Sequence, residues 1–239
     1  MLVDFLNNRK QSNSRILDLS ALISGLLLPF SFAPYDQSWL IYIAMSWMCL
    51  LWLHSTPARA FWRGWLFGLG QFVVGIHWIF YSLYFHGGAP VFLALLMVFL
   101  LASYLALFPA LAGFFAQRFF KINNVSKLLI VIPVCWLITE WLRGYLLTGF
   151  PWLQLGYSQI DMPVAGYATL FGGLGVGFVV VFSSALLALM LTDKKHLKIY
   201  FPVFVLVWLA GSGLMKINWV TPVAEIGRAS CRERVWETV

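Results

Sequence analysis

The feature that most constrains the fold is a series of long, uninterrupted apolar runs. The run at residues 90–115 is almost wholly apolar, and a helix of about 20 such residues crosses a bilayer. Of the 239 residues 61% are hydrophobic and only 10% are charged, whereas ordinary globular proteins carry about 25% charged residues. The sequence therefore predicts an all-α fold, a polytopic integral membrane helical bundle. A β-barrel would instead show alternating polar and apolar residues.

The distribution of positive charge predicts how the helices are oriented. Seven transmembrane helices are expected, at residues 16–33, 39–53, 61–85, 90–115, 128–147, within 163–191 and at 199–214. Pro29 is expected to kink or end the first. The loops at 35–38, 86–89 and 149–162 contain no Lys or Arg, while the loops on the opposite side do. Because cytoplasmic loops are enriched in Lys and Arg, the N-terminus is predicted in the cytoplasm and the C-terminus outside.

These assignments divide the chain into four parts. Residues 1–15 are predicted to be a cytoplasmic N-terminal segment, and residues 16–215 the seven-helix transmembrane domain. Residues 216–224 are expected to start a linker to a periplasmic domain. Residues 225–239 are charged and lack apolar periodicity, which is typical of a foreign or out-of-frame tail.

The remaining composition points away from metals, cofactors and nucleic acid. The net charge of +7 is explained by the cytoplasmic loops, so no nucleic acid is expected as a partner. The three cysteines and four histidines show no metal-site spacing, and no metal or cofactor is predicted.

Two opposite charges, Glu140 and Arg143, lie inside the fifth apolar run. Each would cost roughly 2.5–3.5 kcal/mol on insertion into a bilayer, and their i, i+3 spacing lets them face each other on a helix. One interpretation is a structural ion pair, with Arg143 reaching towards the interface. The other is a cavity or helix junction with a functional role.

A polar and aromatic stretch follows this run, with the candidate residues Phe150, Pro151, Trp152, Gln154 and Tyr157. Trp and Tyr are common at membrane interfaces, so a plain interfacial loop is one interpretation. We favour a re-entrant or surface segment that lines a lipid-facing entrance, because irregular backbone at this depth needs protein or water around it.

His77 and Trp78, inside the third run, are a further candidate pair. Packing is the favoured interpretation over catalysis for these two residues.

Three motifs in order resemble the membrane domain of the apolipoprotein N-acyltransferase family of bacterial inner-membrane enzymes. They are PFSFAP at 29–34, RGWLFG at 63–68 continuing to GIHWI at 75–79, and EWLRG at 140–144 leading into GFPWLQLGYSQ at 149–159. With the topology, the resemblance covers about residues 15–222.

This resemblance implies a two-step reaction in a periplasmic nitrilase-type domain with catalytic Glu, Lys and Cys. The cysteine takes an acyl chain from a phospholipid as a thioester and passes it to the N-terminal amine of a diacylglyceryl-cysteine lipoprotein. Cys231 does not stand in the family's nucleophile context, so no catalytic residue is assigned here, and the 239 residues alone are expected to be inactive. The nine candidate residues are expected to line a lipid entrance or to dock the catalytic domain. The alternatives are a small-solute transporter, a membrane subunit or a scaffold.

Overall fold

The fold is all-α in the part of the chain that the computed structural model describes, residues 11–120, 122–217 and 219. Residues 225–239, including Cys231, and most of the predicted N-terminal segment lie outside this part. The main helices are α1 (Gln11–Leu27), α2 (Leu40–Leu53), α3 (Pro57–Gly75), α4 (Trp78–Tyr81), α5 (Val91–Leu105), α6 (Leu107–Arg118), α7 (Ile132–Arg143), α8 (Ala168–Thr192) and α9 (Leu197–Met215).

Several of these helices are long and apolar enough to cross a membrane, which confirms a multi-pass helical membrane protein. Four stretches qualify: Val91–Arg118, Asn124–Arg143, Pro163–Thr192 and Lys194–Met215. A fifth is added when Pro57–Gly75 and Trp78–His86 are taken as one span bent by 49°. Since α1 and α2 have only 17 and 14 residues, the count of seven spans stays a prediction.

Two predicted runs differ from the helices that form. The third run is not one continuous helix, because α3 ends at Gly75 and helical structure resumes only at Trp78. The fifth run was expected to stay helical to Leu147, but α7 ends at Arg143. The carbonyl of Arg143 accepts a hydrogen bond from the amide of Phe150 (2.8 Å), so the chain turns back there. The prediction for Pro29 is confirmed, since α1 ends at Leu27.

Helix α3 packs closely between α6 and α1. A Cβ atom on Gly64 would lie 2.6 Å from the carbonyl oxygen of Pro109, and one on Gly68 would lie 2.7 Å from the Cα of Ala106. On the other side, Gly25 of α1 lies directly against the backbone of α3. The GxxxG pattern therefore permits the backbone contact that such motifs provide in membranes.

A buried guanidinium joins α1, α2 and α3 at the predicted cytoplasmic side. Arg63 Nε lies 3.1 Å from Asp18 Oδ1 in α1. Arg63 Nη1 donates to the carbonyl of Leu51 in α2 at 3.3 Å and to Ser55 Oγ, just after α2, at 2.7 Å. Asp18 Oδ2 also pairs with Arg59 at 3.2 Å. These bonds offset the cost of burying the Arg63 charge.

Candidate functional site

The charged pair of α7 faces the backbone of the 149–162 loop. Arg143 is only 3% exposed, and its Nη1 donates to the carbonyls of Phe150 (2.7 Å) and Trp152 (2.5 Å). Its Nη2 lies 3.5 Å from Glu140 Oε1, which also accepts from the amide of Leu155 at 2.9 Å. The Arg143 guanidinium is therefore enclosed by the protein. The pair holds both ends of the 150–155 segment.

The chain from the end of α7 into the 149–162 loop contains backbone conformations that L-residues rarely adopt. Leu147, Thr148 and Leu153 have φ values of 50°, 73° and 56°. Each such conformation costs about 1–3 kcal/mol and persists where the surroundings fix it. Around Leu153 that constraint comes from the hydrogen bond that Arg143 donates to the carbonyl of Trp152 and from the one that Glu140 accepts from the amide of Leu155.

Helix α3 supplies a second set of contacts to the loop. Gln71 Nε2 donates to the carbonyl of Leu153 at 3.3 Å, and the ring centroid of Phe72 lies 5.3 Å from Arg143 Cζ, a cation–π contact. Gly75 makes room for the Leu153 side chain. Sequence reasoning missed Gln71, although an amide in an apolar run is a signal that could have found it.

The structure brings Trp78 to the loop and leaves His77 at the helix break. The rings of Trp78 and Trp152 are 5.5 Å apart, and those of Phe150 and Trp152 are 6.2 Å apart. His77 Nδ1 lies 2.6 Å from the carbonyl of Val74. A carbonyl only accepts, so Nδ1 carries the proton and His77 satisfies a carbonyl at the end of α3.

An open pocket of about 310 Å³ lies between the loop, the end of α7 and the start of α8. Three of the candidate residues line it, namely Pro151, Gln154 and Tyr157, whereas Glu140 and Arg143 hold the loop from inside the bundle. The full lining is Trp141, Gly144, Tyr145, Pro151, Gln154, Tyr157, Phe171, Gly172, Gly173 and Leu174.

Glycines set how closely α8 approaches the loop. Gly172 interrupts the helix with φ 65°. Gly156 of the loop lies against the backbone of Gly173, and a Cβ on Gly177 would lie 2.9 Å from Glu140 Oε2. The close packing at the pocket wall and around Glu140 therefore requires glycine, which has no side chain, at these positions.

The far end of the loop is anchored to α2 through a fully buried amide. Gln159 Oε1 accepts from the hydroxyl of Tyr42 at 2.8 Å, and its Nε2 donates to the carbonyl of Ser38 at 3.3 Å. Because hydrogen bonds hold both of its ends, the loop is an integral part of the helical bundle.

The pocket lining combines aromatic, apolar and polar groups. It offers aromatic and apolar surfaces with the amide of Gln154 as a polar group. Among the described residues, no three His, Cys, Asp or Glu side chains lie close enough to hold a metal ion. The two described cysteines, Cys49 and Cys135, are buried in the bundle.

Comparison with known proteins identifies the family. Residues 24–186 match the family model described as the apolipoprotein N-acyltransferase N-terminal domain. The chain is 39% identical over 208 residues to the apolipoprotein N-acyltransferase of Methylococcus capsulatus, covering 87% of this chain and 41% of that protein. It is 40% identical over 219 residues to that of Vibrio cholerae, covering 91% and 43%.

The chain spans about two fifths of the length of these curated relatives. The matches favour an acyltransferase over a solute transporter. This chain belongs to the apolipoprotein N-acyltransferase family, and it corresponds to the family's N-terminal membrane domain.

Proposed function

We propose that this membrane domain binds the phospholipid acyl donor in the pocket beside the 149–162 loop and presents it for acyl transfer. In the full reaction, an acyl chain passes from a phospholipid to a thiol as a thioester, and then to the N-terminal amine of a diacylglyceryl-cysteine lipoprotein. The setting is the bacterial inner membrane, with the loop on the periplasmic side. The observation that carries this proposal is the pocket, which Pro151, Gln154 and Tyr157 line together.

The lining offers both the apolar and the polar surface that a lipid requires. Ligand pockets are mostly apolar with a few placed polar groups, and here Trp141, Tyr145 and Phe171 supply apolar surface beside the Gln154 amide. Aromatic side chains favour the depth of lipid headgroups. Acyl tails can lie against the apolar walls while the amide hydrogen-bonds an ester or headgroup oxygen.

The aromatic cluster of Trp78, Phe150 and Trp152 extends this surface on the other side of the loop. Trp152 is 52% exposed although it contacts Trp78. Its free face can contact the lipid headgroup or a docked catalytic domain. Binding and orientation are the roles we assign to these residues, and none of them is assigned a bond-making step.

Acyl transfer by the full-length protein tests the proposal. Trp152→Ala and Tyr157→Ala should lower the transfer rate by about tenfold or more at unchanged protein level, because a misplaced acyl chain loses the benefit of positioning. The matched control is Phe92→Ala, which removes a 77% exposed aromatic from α5 away from the pocket. Transfer at the unsubstituted rate in both loop variants would contradict the proposal.

A further inference from the structure

The turn from α8 into the start of α9 carries three exposed lysines, Lys194, Lys195 and Lys198, which together are named the basic turn. It lies between two stretches that are long and apolar enough to cross a membrane, Pro163–Thr192 and Lys194–Met215. The basic turn is therefore expected at a membrane surface, whichever side of the membrane that surface faces.

The positive charge of the basic turn is not balanced within the part of the chain that the structure describes. None of the three lysines forms an ion pair there. The carboxylate next to them in the chain, Asp193, already accepts hydrogen bonds at its Oδ2 atom, from His196 Nδ1 at 2.8 Å and from the Tyr200 hydroxyl at 2.9 Å. The three ammonium groups thus face one carboxylate that is already engaged by other partners.

The position of the lysines at the start of α9 adds to this imbalance. Helix α9 has no acidic residue in its first turn, and its N-cap, His196, makes no capping hydrogen bond. The free amides at a helix N-terminus carry partial positive charge, so they favour anions and disfavour a cation such as Lys198. Sequences break such local rules mainly at functional sites. A bound phosphate would compensate the lysines and the amides together.

The surface of α9 beyond Lys198 specifies the kind of phosphate compound that fits. Phe201 and Leu209 follow Lys198 by three and eleven residues, which places them on the same face of the helix. They are 57% and 64% exposed. At the rise of an α-helix this apolar stripe extends about 16 Å from the lysine, close to half of the roughly 30 Å hydrocarbon core of a bilayer. A lipid can contact both the charged and the apolar part, whereas a soluble phosphate compound cannot.

We propose that the basic turn binds the phosphate headgroup of an anionic phospholipid, with an acyl chain of that lipid lying along Phe201 and Leu209. The lipid supplies the negative charge that the turn lacks and the apolar cover for the outer face of α9. This site is at the opposite end of α8 from the pocket beside the 149–162 loop. It therefore does not depend on the function proposed for that pocket.

Native mass spectrometry of the 239-residue chain tests this site. The chain is released from micelles that contain equal amounts of phosphatidylglycerol and phosphatidylethanolamine with the same acyl chains. The unsubstituted chain should retain the anionic lipid in excess, by about fivefold for each lysine that contacts the headgroup. Replacing all three lysines by glutamine should abolish this excess, whereas replacing all three by arginine should keep it, because the charge remains.

The matched control is Lys216→Gln, which removes an exposed lysine at the other end of α9 and should leave the excess unchanged. An equal loss in this control would mean that the attraction is not specific to the basic turn, which would overturn the proposal. Inorganic phosphate added in excess should not displace the lipid, because phosphate has no acyl chain. Displacement would exclude the contribution of Phe201 and Leu209.

Equal retention of the two lipids by the unsubstituted chain would overturn the proposal directly. That comparison needs no variant, so misfolding of a substituted chain cannot hide the answer. An excess of phosphatidylglycerol that persists in the glutamine variant would place the anionic lipid elsewhere on the bundle and would overturn the proposal as well.

Discussion

At the scale of single residues, Glu140 and Arg143 show how two charges that are costly to bury contribute to the structure by binding the loop. The two side chains are 3.5 Å apart, whereas Arg143 lies 2.7 Å from the carbonyl of Phe150. The guanidinium is therefore held more closely by the loop than by its ionic partner. The sequence predicts that the pair is special, because charges are rare in apolar runs. It does not predict the hydrogen-bond partners of the pair, because these are backbone carbonyls and amides, which are the same whatever the side-chain pattern.

Removing Arg143 should weaken the whole domain. Arg143→Ala is expected to cost about 3–5 kcal/mol, because it leaves the Glu140 carboxylate buried without its cation. Thermal unfolding in detergent measures the loss, and limited proteolysis should show faster cleavage in the 149–162 loop. Arg118→Ala is the matched control, since it removes an exposed arginine at the end of α6. Equal stability of the two variants would contradict the assigned role.

At the scale of helices, continuous apolar runs were sufficient to predict where helices occur but not where they break. The third run reads as one helix because nothing between Gly75 and Trp78 is polar except His77. The bend is a tertiary feature, since Gly75 at the end of α3 meets Leu153 and Trp78 at the start of α4 meets the Trp152 ring. The role of Gln71 was missed for the same reason, because its partner belongs to a distant part of the chain.

The contact between α3 and α6 should not tolerate a methyl group. Gly64→Ala places a carbon 2.6 Å from a backbone carbonyl, and overpacking of this kind costs about 1–3 kcal/mol. The matched control is Gly213→Ala in α9, where nothing lies within 4 Å of the added carbon. That variant should be neutral or more stable by up to about 1 kcal/mol, because Ala favours helix over Gly. Thermal unfolding of both variants checks the difference, and a stable Gly64→Ala would contradict it.

Asp193, in the turn between α8 and α9, should make the stability of the fold depend on pH in the acidic range. Asp193 Oδ2 accepts from His196 Nδ1 at 2.8 Å and from the Tyr200 hydroxyl at 2.9 Å. The hydrogen bond from His196, then that from Tyr200, holds the pKa of Asp193 below its ordinary value. A carboxyl group whose pKa is lowered in the folded state stabilises the fold above the unfolded-state pKa of about 3.9. This stabilisation is lost as the pH falls through the folded-state pKa.

The melting temperature of Asp193→Asn measures this contribution. The gap between the variant and the unsubstituted protein should be present near neutral pH and shrink as the pH falls below about 4. Asp161→Asn, at an exposed position in the loop, should show no comparable gap. A gap that is constant with pH would contradict the contribution of the Asp193 charge.

At the scale of the whole molecule, the charge pattern gives one orientation for the bundle. The 149–162 loop has no Lys or Arg, whereas Lys194 and Lys195 lie in the turn after α8 and Lys198 lies at the start of α9. Only an odd number of crossings between these two regions places them on opposite sides, and α8 is the single α-helix between them. The predicted topology thus depends on α8 crossing the membrane fully despite its kink at Gly172.

Cysteine labelling in intact cells tests this orientation. In a background with every native cysteine replaced by alanine, Tyr157→Cys should react with an impermeant maleimide added outside the inner membrane. The side chain is 53% exposed, so reagent can reach it. Lys195→Cys should react only after the membrane is permeabilised. The reverse pattern would invert the topology and place the pocket on the wrong side for periplasmic chemistry.

The hydrogen bonds that run from α7 to the loop have a mechanical consequence. Glu140 and Arg143 sit one turn apart and bind groups fifteen and nine residues further along the chain. A rotation of α7 about its axis would therefore displace the Trp152 and Leu155 backbone in the same direction. The aromatic cluster of Trp78, Phe150 and Trp152 is thereby tied to the helix, and a lipid bound as proposed would meet a preorganised surface that loses little entropy on binding.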